Sequence, residues 1–310
     1  MFSTTKKIKY LFKGHITNWF WRDREERRII RNNAYSELII SYLEKYIPYI
    51  KTLSSPKRII DDQAINLGNK PEEEKVYSVW LQGIEEAPYI VQKCIESIKN
   101  FYGEQFLLIE EKDIPRLVAL PDFIIEKFNN KQISPAHFVD IVRIELLYQY
   151  GGFWMDSTNF MTGRIPQKYI DMDFFMHTAS GEYSYVFIQN YFIRAKRYDP
   201  LLYLWKQLLY KYWETENKAV DYFFAQYLFK LLVTHNAEAA RIFNNMPNID
   251  ESGTQLLWLR FGNDPFDEEK FKEMCSKSFF QKCSYKKRKN FIQEIKKGSM
   301  ADYVINHNGK

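Results

Sequence analysis

Tyr150-Gly151-Gly152-Phe153-Trp154-Met155-Asp156-Ser157-Thr158 is the stretch that decides the fold. Upstream of it, Ser134-Pro135 reads as a helix start. A serine cap takes up a free backbone N–H, and proline suits the first turn because it has none to satisfy. That helix runs to Tyr150, and Gly151 ends it, since glycine adopts the backbone angles that close helices. Phe153 to Asp156 then reads as a short strand with Asp156 at its carboxyl end. In open α/β sheets, ligands bind outside the carboxyl ends of strands. A carboxylate there can hold a sugar hydroxyl or help bind a divalent metal.

The flanking sequence extends this unit. Val76 to Leu81 reads as a strand of β-formers, with Gly83 and Pro88 marking the turn after it. Ile90, Val91, Cys94, Ile95 and Ile98 give one apolar stripe, which predicts a helix over Tyr89 to Phe101. Gln105 to Ile109 is the next strand. This β-α-β opening predicts a parallel, doubly wound start. Farther on, Phe174 to His177 and Tyr185 to Gln189 read as strands, and Leu201 to Trp213 and Tyr222 to Val233 as helices.

The ends have a different character. Residues 1–55 read as a basic and aromatic helical extension, in which Lys6, Lys7, Lys9 and Lys13 interleave with Tyr10, Leu11 and Phe12 ahead of Trp19, Phe20 and Trp21. A helical period runs from Ile29 to Tyr46. The segment from Ser54 to Glu74, with Pro56, Gly68 and Pro71, reads as a connector. Residues 72–310 then form the main domain, with the ligand half at 72–165 and a mostly helical half at 166–310. Residues 280–298 are strongly basic, from Lys282 through Lys286, Lys287, Arg288 and Lys289 to Lys297.

Composition narrows the function classes. The 310 residues are 45% hydrophobic, which supports a sizeable core, and 17% aromatic, which suits dense packing as well as sugar or base stacking. A net charge of +5 is mildly basic and is not by itself the signature of a nucleic-acid binder. It suits an anionic small ligand or an anionic membrane surface. Cys94, Cys275 and Cys283 form no C-x-x-C pair, which speaks against a disulfide framework or a zinc site and for a reducing, cytoplasmic compartment. No apolar run reaches the roughly 20 residues that span a bilayer. No secretory leader is visible.

On the helix from Ser134, Asp140 and Arg143 project from one face. Taken alone, the pair reads first as an ordinary ion pair. The same helix hands over to the strand that ends in Asp156, so Asp140, Arg143 and Asp156 are expected to converge on one polar group. His137, one turn before Asp140, reads first as structural. His177, after a hydrophobic strand, is a weak candidate for the acceptor side.

These residues resemble a family. Ser78-Val79-Trp80, then Asp140-x-x-Arg143, then Leu147-x-x-Tyr150-Gly151-Gly152-Phe153-Trp154-x-Asp156 are similar to the capsular polysaccharide synthesis glycosyltransferases, related to glycosyltransferase family 32. The resemblance covers residues 72–165 well. It continues more weakly through Asp221-Tyr222-Phe223 and Lys282-Cys283-Ser284. It implies a GT-A-like fold, an α/β Rossmann-type mixed sheet flanked by helices with helical additions at both ends. It also implies an enzyme of the hexosyltransferase class with no organic cofactor. The donor would be a nucleotide-sugar, expected to be UDP-linked, and the acceptor a lipid-linked oligosaccharide of a capsule or surface polysaccharide. The chemistry would retain anomeric configuration, at the inner face of the membrane.

By the same resemblance, Trp80 would stack on the base and Val79 would offer it backbone groups. Asp140, Arg143 and Trp154 would line the donor-sugar site, and Lys282 and Ser284 would reach the phosphates, with Lys286 as a second candidate. Asp156 would be the first acid of a D-x-D motif and the ligand, directly or through water, of Mn2+ or Mg2+. The second acid is replaced by Thr158, which offers only a neutral hydroxyl and so predicts weak divalent-metal binding. A non-catalytic nucleotide-sugar or glycan-binding protein of the same fold is the alternative. A basic RNA- or membrane-binding helical protein is a third reading, and it needs neither the Gly-Gly-to-Asp unit nor Asp140 and Arg143.

Overall fold

The computed structural model describes residues 24–56, 75–286 and 294–307. The Lys6 to Trp21 run, most of the connector and Lys287, Arg288 and Lys289 lie outside the described residues. The chain begins with helices α1 (Arg24–Leu43) and α2 (Ile47–Thr52), joined by a short 3-10 turn. Strand β1 (Val76–Val79), helix α3 (Tyr89–Tyr102) and strand β2 (Phe106–Ile109) follow. Helix α4 (Asp122–Asn129) precedes α5 (Pro135–Tyr150), which leads into β3 (Gly152–Met155) and β4 (Asn159–Met161). Strands β5 (Phe174–Thr178) and β6 (Ile188–Ala195) come next. Helices α6 (Pro200–Thr215), α7 (Phe224–His235), α8 (Ala237–Asn244) and α9 (Glu268–Lys277), strand β7 (Phe280–Lys282) and helix α10 (Met300–His307) complete the chain.

The main sheet has five strands in the order β2-β1-β3-β6-β5. Strands β1, β2 and β3 run parallel, and β6 and β5 add antiparallel pairings. This is the expected Rossmann-type mixed sheet flanked by helices. Every residue of β1 and β3 is buried, as expected for strands covered on both faces. Helix α3 packs beside β2, and α5 packs against β3 and α6. Ser78 Oγ donates to Met155 O and ties the carboxyl end of β1 to that of β3.

Two elements depart from expectation. The strand expected over Tyr185 to Gln189 is a 3-10 turn over Gly181–Val186, and β6 begins only after it. Phe187, at φ 78, makes the break, a conformation that no strand residue holds. The second difference is a two-stranded sheet of β4 and β7, in which Asn159 faces Lys282 and Met161 faces Phe280. The basic C-terminal segment therefore starts as a strand bonded to the segment just after Asp156.

Helices α1 and α2 belong to the same core as the sheet. Ile39, Leu43 and Ile50 are fully buried in it, and α1 rests on the Gly181–Val186 turn and on α7. Among the described residues, no helix is long and apolar enough to cross a membrane.

Candidate active site

The site is built where β3 stops. Ser134 caps α5 by accepting from His137 N at 3.3 Å, and Pro135 takes the first turn. Gly151 ends the helix at φ 68 and ψ −168, and Gly152 follows at φ 99. Gly151 therefore ends the helix as expected, with backbone angles outside the left-handed helical region. Its region of backbone space is essentially open to glycine alone. A Cβ at Gly151 would lie 2.7 Å from Arg197 N, so the chain reverses here at close quarters. Four strand residues later the backbone N–H of Asp156 donates to Tyr191 O of β6 at 2.9 Å, and Asn159 N closes a turn onto Asp156 O at 2.9 Å.

That turn aims the Asp156 carboxylate between two cations. Its Oδ1 accepts from Arg143 Nη2 at 3.0 Å and from Trp154 Nε1 at 2.8 Å. Its Oδ2 accepts from Lys282 Nζ at 2.7 Å. Burial alone would raise the carboxyl, but the charges of Lys282 and Arg143 and these hydrogen bonds hold it down at about 2. Asp156 is thus firmly ionised at neutral pH.

Arg143 is the hub on the helix side. Its Nη1 lies 3.3 Å from Asp140 Oδ1 and donates to Asn190 O at 2.6 Å, and its guanidinium sits 4.6 Å from the centre of the Trp154 ring. Asp140 accepts from Asn190 Nδ2 at 3.0 Å. Burial raises the Asp140 carboxyl above its usual range despite the opposing charge of Arg143. The two carboxylates that share this guanidinium are therefore displaced in opposite directions.

Lys282 is brought in from far along the chain. The β4–β7 pairing sets it opposite Asn159, and Cys283 N donates to Thr158 O at 2.8 Å. The ammonium also donates to Thr158 Oγ1 at 2.7 Å and lies 5.0 Å from the centre of the Tyr191 ring.

These groups form the floor of a cleft of about 620 Å³. Val79, Trp80, Asp140, Arg143, Trp154, Asp156, Lys282 and Ser284 all line it, so the expected site residues are brought together. Their positions differ in kind. Trp80 is half-buried at the rim and meets the exposed Tyr285 edge-to-face, with centroids 5.5 Å apart. Trp154 is 1% exposed, so its contribution is to orient Asp156. Lys286 also reaches the lining, beside the ring of Tyr222.

His137 has a structural place. Its Nε2 donates to Tyr222 O at 3.2 Å, and its ring packs edge-on against Phe224. His177 does not face the cleft as the sequence suggested. It is 3% exposed among Phe175, Phe192 and Phe280, and burial lowers its pKa to about 4. A bulge between Met176 and His177 turns the strand there and defeats the simple alternation.

Asn190 was missed. It joins Asp140, Arg143 and, through Gln226 Nε2 at 3.3 Å, helix α7. The available signal was the polar pair Gln189-Asn190 interrupting the apolar run from Ile188 to Ile193. Gln189, Gln226, Gln255, Tyr183, Phe223 and Trp258 also line the cleft, with amides and rings.

A Mn2+ or Mg2+ ion at Asp156 meets a donor set that does not fit it. Both Asp156 oxygens and the Thr158 hydroxyl already accept from Arg143, Trp154 or Lys282. Among the described residues, no group of three or more His, Cys, Asp or Glu is placed to hold a metal.

The profile of a family described as capsular polysaccharide synthesis protein matches residues 27–304. The chain belongs to that family. Its matched span takes in α1 as well as Lys282, so the N-terminal helices and the β4–β7 sheet are both within it. Among solved structures, one titled "PaToxG Glycosyltransferase" is similar at 14% identity, over 69% of this chain and 84% of that one, with a TM-score of 0.35. No curated protein matches the chain.

Proposed function

We propose that this member of the capsular polysaccharide synthesis family is a glycosyltransferase. It moves a single sugar from a nucleoside-diphosphate donor, UDP-linked, to a lipid-linked oligosaccharide of a capsule or surface polysaccharide, with retention of configuration. The observation that carries the reading is the Asp156 carboxylate at the end of β3, held between Arg143 and Lys282 on the floor of one cleft. The rim and floor divide the work. Trp80 offers a flat ring for a base, whose stacking is worth about 1–3 kcal/mol. Asp140 and the remaining lone pair on Asp156 Oδ2 are acceptors for donor-sugar hydroxyls, and Lys282, Ser284 and Lys286, which line the same cleft, would meet a diphosphate.

In a retaining transfer the acceptor hydroxyl attacks on the face that the diphosphate leaves. The departing phosphate oxygen takes the proton, so the protein need supply no base. Its task is to position the partners and to stabilise charge on the leaving group. The amides and rings that line the rest of the cleft suit a saccharide acceptor. The basic and aromatic sequence before residue 24 suits peripheral contact with an anionic membrane at its cytoplasmic face.

A panel of UDP-, GDP- and dTDP-sugars tests the reading by thermal shift and slow donor hydrolysis. At least one donor should raise the melting temperature and be hydrolysed. Silence across the panel sinks the proposal. A shift without hydrolysis or transfer to any glycan acceptor would favour a non-catalytic binder, a reading that Thr158 in place of an acid keeps open.

A further inference from the structure

We propose that the Lys282 ammonium occupies the place of a divalent cation and itself receives the donor's diphosphate, so that nucleotide binding needs no metal ion. This deepens the donor-binding reading above and rests on it.

The argument begins with what the ammonium already holds. Lys282 Nζ lies 2.7 Å from Asp156 Oδ2 and 2.7 Å from Thr158 Oγ1, the side chains at the two acid positions of the D-x-D pattern. It is not a loose surface lysine. The β4–β7 pairing and the Cys283 N to Thr158 O bond fix its backbone, and its side chain is 19% exposed. A hard divalent ion demands several oxygen ligands, preferably charged. Here Asp156 Oδ1 is committed to Arg143 and Trp154, and Oδ2 to Lys282. An incoming ion would have to displace the ammonium and then sit against it.

The ammonium suits an anion better. It carries three N–H donors, of which Asp156 and Thr158 take two. The third is left for a phosphate oxygen, to which a lysine binds as a point charge. Arg143 and Lys286 line the same cleft and add positive charge around it. Thr158 fits this assignment as well. A second acid there would bind the ammonium more tightly and leave less of its charge for the ligand, whereas a hydroxyl accepts one bond and adds no charge.

The test uses calorimetry on the full chain. First, Mn2+ is titrated into the free protein. The wild type should show no binding below about millimolar, while a Lys282→Ala/Thr158→Asp double variant should bind Mn2+ at least about tenfold more tightly. Second, UDP is titrated in EDTA and in Mn2+. Wild-type affinity should agree within about twofold between the two buffers, and Lys282→Met should weaken it about tenfold or more. Lys282→Arg, which keeps the charge, should retain most of the affinity and guards against a folding defect in the Met variant. Micromolar Mn2+ binding by the wild type would overturn the inference, as would UDP binding that strengthens tenfold with Mn2+ or survives Lys282→Met. If neither UDP nor GDP binds in either buffer, the donor reading fails and takes the phosphate role with it. The Mn2+ titration of the free protein still decides separately whether the ammonium holds the cation's place.

Discussion

Asp156 is where burial and charge compete, and the magnitudes decide the outcome. Burial works to raise its carboxyl, yet Lys282 and Arg143 hold it at about 2. The unfolded value is near 4, so a shift of about two pKa units amounts to about 2.5 kcal/mol. The sign follows from the depressed value. The stabilisation is fully present above about pH 4 and is lost as pH falls through about 2. Asp156→Asn should therefore cost about 2.5 kcal/mol at pH 6, and most of the gap to wild type should be gone at pH 2. Urea unfolding at a series of pH values reads this directly. A gap that stays constant from pH 6 to pH 2 would show that the ion pairs contribute nothing. Asp140, shifted upward by burial, works in the opposite sense. For that reason the comparison must be made at Asp156 rather than on the whole acid limb. The same substitution should abolish donor hydrolysis, because the neutral amide no longer holds Lys282 by charge.

At the scale of elements, the junction between α5 and β3 was legible in the sequence because it is local. Serine cap, proline, apolar period and paired glycines all lie within nineteen residues of one another in Ser134 to Gly152. Asp140, Arg143 and Asp156 came together as expected for the same reason. The β4–β7 sheet was not legible, because β7 spans only Phe280–Lys282 and its partner lies more than a hundred residues earlier. Composition marked the segment as basic, but only the pairing shows which lysine meets Asp156. Strand β6 was misplaced because an aromatic run hid the break at Phe187, and with it went Asn190. The junction itself makes a sharp prediction. Gly151→Ala would put a side chain at φ 68 and ψ −168, with its Cβ 2.7 Å from Arg197 N. Strain at such angles costs about 1–3 kcal/mol, and the backbone clash adds to it. We expect a loss of about 3 kcal/mol or more in urea unfolding, with weakened donor binding as β3 shifts. A variant within about 0.5 kcal/mol of wild type would mean that the turn is far softer than its geometry implies.

At the scale of the molecule, the first helices decide whether the body that carries the cleft can stand alone. The sequence suggested an extension over residues 1–55 ahead of a main domain. In the structure Ile39, Leu43 and Ile50 are 0% exposed and Tyr46 is 4% exposed, all within the core that holds the sheet. Burying side chains of this kind contributes about 1.5–3 kcal/mol each. The four together therefore supply about 6–12 kcal/mol, which is comparable with the 5–15 kcal/mol stability of a whole domain. Polar ties add to this. Asn236, which caps α8 by accepting from Ala239 N at 3.0 Å, donates to Ile50 O at 3.0 Å and to Leu53 O at 2.8 Å. Tyr42 donates to Glu216 at 2.9 Å at the far end of α6. A chain that begins at residue 75 would lose all of these and expose the apolar flank of α7, on which α1 and α2 rest. It should be insoluble, or should unfold without a cooperative transition, whereas a chain that begins at residue 24 should keep one. Circular dichroism through a urea titration separates the two. A sharp transition at the wild-type midpoint for the shorter chain would show that the sheet and its cleft fold without α1 and α2.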